Sequence, residues 1–184
     1  MTVTGGDGLT DLERVVARDE IRLLAYRYAD ALDRRDLDLL ASLYRPDARF
    51  GAHGEGPEAA RAFFAESLGE IGIAVLLVAN HLVEFDDPDH ARGTVWTHGF
   101  IDDGPPEQGK EGFIQQLIKY DDRYVRVDGA WRFTRRRHFL WLGWRHGEPA
   151  PLAQPPAEWP TRQVGLGSIP YGDPAWQEFW STRP

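Results

Sequence analysis

The 184-residue chain has no cysteine. That excludes disulfides, thiolate metal ligands, iron–sulfur clusters and a cysteine nucleophile. It has no long apolar run. The longest, Ile73 to Ala79, is far too short to cross a bilayer. Positive charge is in deficit, with 21 Lys and Arg against 29 Asp and Glu and a net charge of -8. This speaks against nonspecific attachment to nucleic acid or to an anionic membrane. The stretch Met1–Gly8 has no basic segment followed by an apolar one, so no signal peptide is expected and the expected location is cytoplasmic. No Gly-rich phosphate loop follows a strand, and no nucleophile elbow is present. His53, His90 and His146 stand alone in turn-like segments. No histidine pair has helical spacing beside an acid, so no metal site is expected.

What is present suits one folded domain with an extension. The chain is 42% hydrophobic and 12% aromatic, enough to fill a core. Residues 1–10 read as a flexible lead. From about Thr10 to Arg34 the apolar residues Ile21, Leu24, Tyr28 and Leu32 recur at helical spacing. Asp36 can cap a second, short helix. A short strand is expected from Ala48 to Phe50, and Pro57 opens a third helix.

After Gly72 the period becomes extended. Strands are expected over Ile73–Phe85, Arg92–Ile101, Phe113–Val127 and Trp131–Trp144, with Asp128-Gly129 as a hairpin turn. Helices followed by an antiparallel meander predict an α+β fold, a curved sheet wrapped over N-terminal helices. Residues 146–184 hold eight of the 13 prolines and three of the seven tryptophans. They read either as an extended tail lying on the domain at residues 11–145, anchored by Trp159, Trp176, Phe179 and Trp180, or as a cover for a pocket mouth or a dimer seam.

Three segments carry a family resemblance. Tyr28 to Asp38 resembles the first-helix signature of SnoaL-like proteins. Leu43 to Phe50 resembles the strand entry after it, and Tyr120 to Phe133 the closing hairpin. Over roughly residues 11–144 the chain resembles the SnoaL-like branch of the nuclear-transport-factor-2-like superfamily, which includes polyketide cyclases, scytalone dehydratase and bile-acid 7α-dehydratase. The resemblance implies a cone-shaped sheet, a deep apolar pocket for a small hydrophobic substrate and often a dimer or higher homo-oligomer. It also implies proton removal with neither metal nor organic cofactor. Non-enzymes share the fold, so a non-catalytic ligand-binding protein is the alternative.

Such chemistry needs a base, a group that orients it and a holder for the developing anion. The resemblance implies Asp33 as the carboxylate, and Tyr28, five residues earlier, as a further functional residue. His81 follows Asp33 by the family's spacing. A second registration, from Asn80 to Gly93, puts the family histidine on Leu76 instead. Regular strand alternation would place His81 on the face opposite Leu76. His98 is another candidate base, on a face shared with Thr94, Trp96 and Phe100 that suits a pocket wall. Arg136 matches an arginine of the closing strand and could hold an oxyanion or leaving group. Alternation puts Thr134, Arg136 and His138 on one face, and Phe133, Arg135 and Arg137 on the other. Tyr44, Trp96, Phe100, His138 and Leu76 are the candidate substrate-binding residues.

Overall fold

The computed structural model describes residues 5–103, 112–146, 157–158, 164–165 and 174–182. Trp159 lies outside them. Helix α1 spans Asp11–Arg34. Its start is fixed by a capping box, in which Thr10 Oγ1 accepts from Glu13 N at 3.3 Å and the Glu13 carboxylate accepts from Thr10 N at 2.9 Å. Residues 5–10 are tied down: Leu9 is buried, and Asp7 accepts two hydrogen bonds from Arg14.

Helix α1 ends on Arg35 at φ 60°, a left-handed conformation that costs a non-glycine residue about 1–2 kcal/mol. The buried guanidinium offsets this cost. It donates to the carbonyls of Leu32 (2.7 Å), Ile71 (3.3 Å) and Gly72. Asp36 then caps α2 (Leu37–Ser42) by accepting from Leu39 N at 2.9 Å. Pro57 opens α3 (Pro57–Gly69). The strand expected at Ala48–Phe50 is a single bridge, Arg49 to Glu55.

Strands β1 (Ile71–Asp87), β2 (His90–Asp103), β3 (Phe113–Val127) and β4 (Ala130–His146) form one antiparallel meander in chain order. Asp128 and Gly129 both have positive φ, at 51° and 77°, as a two-residue hairpin turn of this hand requires. The sheet buries one face against α1. There Ile21 and Leu24 meet Ala91, Tyr124, Trp131 and Phe133. Two-residue strands β5 (Ala157–Glu158) and β6 (Val164–Gly165) pair separately. Helix α4 (Pro174–Ser181) buries Trp176 and Phe179, and Phe179 joins the cluster built on Leu40, Phe50, Ala60 and Phe64.

Two of the sheet's register shifts decide which candidate residues face inward, and both overturn the alternation expected from sequence. Between Val78 and His81, β1 advances three residues while β2 advances two, from Thr97 to Val95. The extra residue resets the parity. Leu76 and His81 therefore share the inner face. On β4, Tyr124 pairs with Phe133 while Arg123 pairs with Arg135. This second bulge brings Phe133 onto the inner face with Arg136.

Candidate active site

The innermost part of the sheet carries a polar chain. Arg136 on β4 has a side chain only 2% exposed. Its guanidinium carbon lies 3.9 Å from the ring centre of Tyr120, 4.3 Å from Tyr28 and 4.9 Å from Phe133. Tyr28 reaches it from α1. Tyr44, just after α2, is held beside it by a parallel bridge to Phe133 and packs on that ring at 5.3 Å. One carboxylate faces the guanidinium: Asp122 Oδ1 is 3.6 Å from Nε, and its side chain is fully buried. Among the described residues none of the three guanidinium nitrogens makes a hydrogen bond, and neither does Asp122 Oδ1. Burial works against the Arg136 charge, but Asp122 and the surrounding phenols outweigh it and hold its pKa above the ordinary value. A buried guanidinium with unspent donors is expensive, and it needs an acceptor.

Asp122 connects this centre to His81. The Tyr124 hydroxyl donates to Asp122 Oδ2 at 2.9 Å and lies 3.0 Å from His81 Nε2. Its one proton being committed to Asp122, the hydroxyl accepts from His81. The imidazole therefore carries its hydrogen on Nε2, and Nδ1 is a bare lone pair. That Nδ1 is buried and makes no hydrogen bond. Burial lowers His81 to about 4, with the cations Arg136 and Arg22 adding to the effect. Burial raises Asp122 to about 6, against the pull of Arg136 and the Tyr124 hydrogen bond. Burial also raises the phenols of Tyr28, Tyr44, Tyr120 and Tyr124 above their usual range. At neutral pH the chain thus reads neutral imidazole, phenol, carboxylate, guanidinium.

Asp33 stands apart from this chain. Arg22 donates to the His81 carbonyl at 3.4 Å, which sets His81 level with the middle of α1. Asp33 lies eleven residues further along the same helix. There Arg35 holds the start of β1, at Ile71 and Gly72. Asp33 makes no hydrogen bond or ion pair with either His81 or His98. Its Oδ1 is shielded and has no hydrogen-bond partner among the described residues. Burial pushes its carboxyl up to about 7, opposed by Arg35 and aided by Asp30. Two β1 residues, Ile71 and Leu76, pack against the cluster containing Leu32 and Leu40, and Leu76 also touches the cluster of Val95 and Tyr120. Helix α4 docks here too, with the Arg35 guanidinium 4.7 Å from the Trp176 ring. A cleft of about 620 Å³ opens between Arg35–Asp38, Arg61 and α4.

The other candidates take different places. Val95 and Thr97 are buried against the helices, so Trp96, His98 and Phe100 point to the outer face. There Trp96 meets Trp141 at 5.4 Å, and His98 meets Phe100 at 4.5 Å. His138 lies on the inner row, its ring 5.5 Å from Tyr120. Burial and then Arg136 lower its pKa. The structure thus gathers Tyr28, Tyr44, His81, His138 and Arg136, and leaves Asp33, His98, Trp96 and Phe100 outside the group. Sequence reading missed Asp122 and Tyr124. They stand in the closing-hairpin segment at alternate positions, and an acid in a strand flanked by tyrosines was the available signal.

A four-stranded antiparallel sheet curved over N-terminal helices defines the cone-shaped α+β class of nuclear-transport-factor-2-like folds. Within it the chain belongs to the SnoaL-like domain family, whose model matches residues 13–137. It is similar in structure to a hexachlorocyclohexane dehydrochlorinase, LinA type 2, with TM-score 0.67 and 24% identity over 79% of this chain and 99% of that one. A second LinA structure gives TM-score 0.65 and 25% identity over 74% and 93%. A candidate scytalone dehydratase from Novosphingobium aromaticivorans gives 0.62 and 20% over 77% and 98%. No curated protein matches the chain. Among the described residues no helix is long and apolar enough to cross a membrane, and no cluster of three or more His, Asp or Glu could hold a metal ion.

Proposed function

We propose that the chain is a lyase or isomerase of dehydratase or cyclase type, acting inside the cone on a small, largely apolar cyclic molecule that carries a carbonyl. The observation that carries this reading is Arg136, buried among three aromatic rings with its donors unspent. A substrate oxygen would supply the missing acceptor.

In this reading His81 Nδ1 takes a proton from the carbon next to the carbonyl. The electron pair moves onto the oxygen, and Arg136 holds the resulting oxyanion. The neighbouring C–O bond then breaks as the enolate collapses to an enone, and the leaving hydroxyl takes the proton back from His81 Nδ1 and departs as water; in the isomerase variant that proton returns to another carbon of the enolate. The imidazolium formed on His81 keeps its Nε2–H on Tyr124, which Asp122 orients; this is a carboxylate–imidazole pair with a phenol between. A base near pKa 4 abstracts only from an activated C–H, so the pull of Arg136 on the carbonyl is a requirement. Asp33, which makes no hydrogen bond to His81, takes no part in this reading. The test is incubation with cyclic β-hydroxy ketones, following enone absorbance and loss of water by mass spectrometry. Turnover that disappears in Arg136→Met supports the reading. Equal turnover by both proteins overturns it.

A second reading, a ligand-binding protein without chemistry, is favoured by Leu76, which gives Asp33 no imidazole partner. It predicts ligand recovered unchanged and bound equally well by His81→Gln. A homodimer or larger homo-oligomer belongs to the proposal as well. Leu77, Trp141, Leu142 and Trp144 are about half exposed along the strands, more apolar surface than a monomer usually leaves open. Light scattering that gives a monomer mass would remove this part.

A further inference from the structure

The outer face of the sheet carries a second feature, a cleft that shares Asp122 with the Arg136 centre. Strand register sets Glu84, Arg92, Arg123 and Arg135 in one row across all four strands. In the next row Leu82, Thr94, Asp121 and Arg137 stand side by side. Members of both rows line a cleft of about 310 Å³. Three arginines on directly adjacent strands repel one another.

The acids of this region are already engaged. Arg92 binds Glu84 at 2.6 Å and also pairs with Asp86. Lys119 pairs with Asp121 at 3.2 Å. The Arg137 guanidinium lies 5.0 Å from the Phe139 ring. Arg123 and Arg135 are exposed, face each other across β3 and β4, and have no carboxylate partner among the described residues. The cleft lining holds Glu84, Asp121 and Asp122 with Arg92, Arg123 and Arg135; Glu84 is taken up by Arg92, Asp121 by Lys119, and Asp122 by Tyr124 and Arg136, which leaves the charges of Arg123 and Arg135 unmatched. Two guanidinium forks on adjacent strands, with the Thr94 hydroxyl beside them, match the oxygens of a tetrahedral anion.

We propose that this cleft is a phosphate-binding site, with Arg123 and Arg135 as its paired ligands and Thr94 as a further donor. The phosphate is either free or part of an organic ester. Leu82, which is 70% exposed at the cleft wall, offers an apolar contact to the organic part.

The test is thermal unfolding in inorganic phosphate and in phenyl phosphate, each against potassium chloride at matched ionic strength. The wild type is expected to gain several degrees over chloride. The double variant Arg123→Gln/Arg135→Gln should lose that gain while melting no lower than wild type in chloride, because a like-charge contact is relieved. A larger gain with phenyl phosphate assigns the site to a phosphate ester; equal gains assign it to free phosphate. Identical gains in wild type and double variant, or no gain over chloride, overturn the proposal. Should the double variant not fold, line broadening of phosphate in phosphorus NMR with Arg135→Lys decides. At least tenfold weaker binding is expected once the planar fork is gone, and wild-type broadening contradicts the assignment.

Discussion

The Tyr124 hydroxyl gives its proton to Asp122 Oδ2 at 2.9 Å, and this one bond fixes the chemistry available at His81. The phenol can then only accept from Nε2, at 3.0 Å. Nδ1 is left as the reactive nitrogen.

Tyr124→Phe keeps the ring and removes the link. The expected loss in kcat is about 10²- to 10⁴-fold, as for the loss of a group that orients a catalytic imidazole. Stability should fall by about 1–3 kcal/mol, because two buried polar atoms lose their partner. Steady-state kinetics and urea unfolding of the same preparation check both.

Asp33→Asn should separate charge from shape. Burial raises the folded carboxyl to about 7 from the ordinary 3.8, so the folded state holds the proton more tightly than the unfolded one. The favourable contribution of the protonated acid is complete below pH 3.8 and is lost as pH rises through 7. The variant should therefore be more stable than wild type at pH 8, by about 1–2 kcal/mol after allowing for the screening of a half-buried group. The difference should vanish below pH 4. Urea midpoints across that range measure it.

Gly93→Ala should displace Tyr124. A Cβ at Gly93 would stand 2.7 Å from the Leu82 carbonyl and 3.1 Å from the Tyr124 hydroxyl. The backbone contact cannot move cheaply, so a loss of about 1–3 kcal/mol is expected. A change in the imidazole NMR signals of His81 should accompany it.

Trp176→Ala tests the docking of α4. Trp176 is 3% exposed and lies against the Arg35 guanidinium. Its removal should cost about 3 kcal/mol and raise proteolytic cleavage near the C-terminus.

Much of the fold was legible because its signals are local. The capping pair Thr10 and Glu13, the Asp36 cap, Pro57 and the Asp128-Gly129 turn each mark a boundary through a contact made within a few residues. The site was less legible, because it depends on which way strand residues point. Period-2 alternation fails at an inserted residue. The β1 bulge turns His81 to the side of Leu76, and the β4 bulge turns Phe133 to the side of Arg136. Neither is marked by a glycine. The Asp122–Arg136 contact is set by register between β3 and β4, which no spacing within one strand reveals. Arg35 was also hidden. Its sequence neighbours read as a solvated helix end, whereas its side chain folds back onto Leu32, Ile71 and Gly72.

In the proposed mechanism His81 moves the proton and Asp33 does not. The most direct measurement is the rate of deuterium uptake next to the carbonyl of a bicyclic ketone such as 2-tetralone, followed by proton NMR in deuterated buffer near neutral pH, with wild type, His81→Gln and Asp33→Asn. Uptake faster than in buffer is expected with wild type and Asp33→Asn, and uptake at the buffer rate with His81→Gln. Uptake that persists in His81→Gln and stops in Asp33→Asn would contradict the mechanism and move the base to the far end of α1.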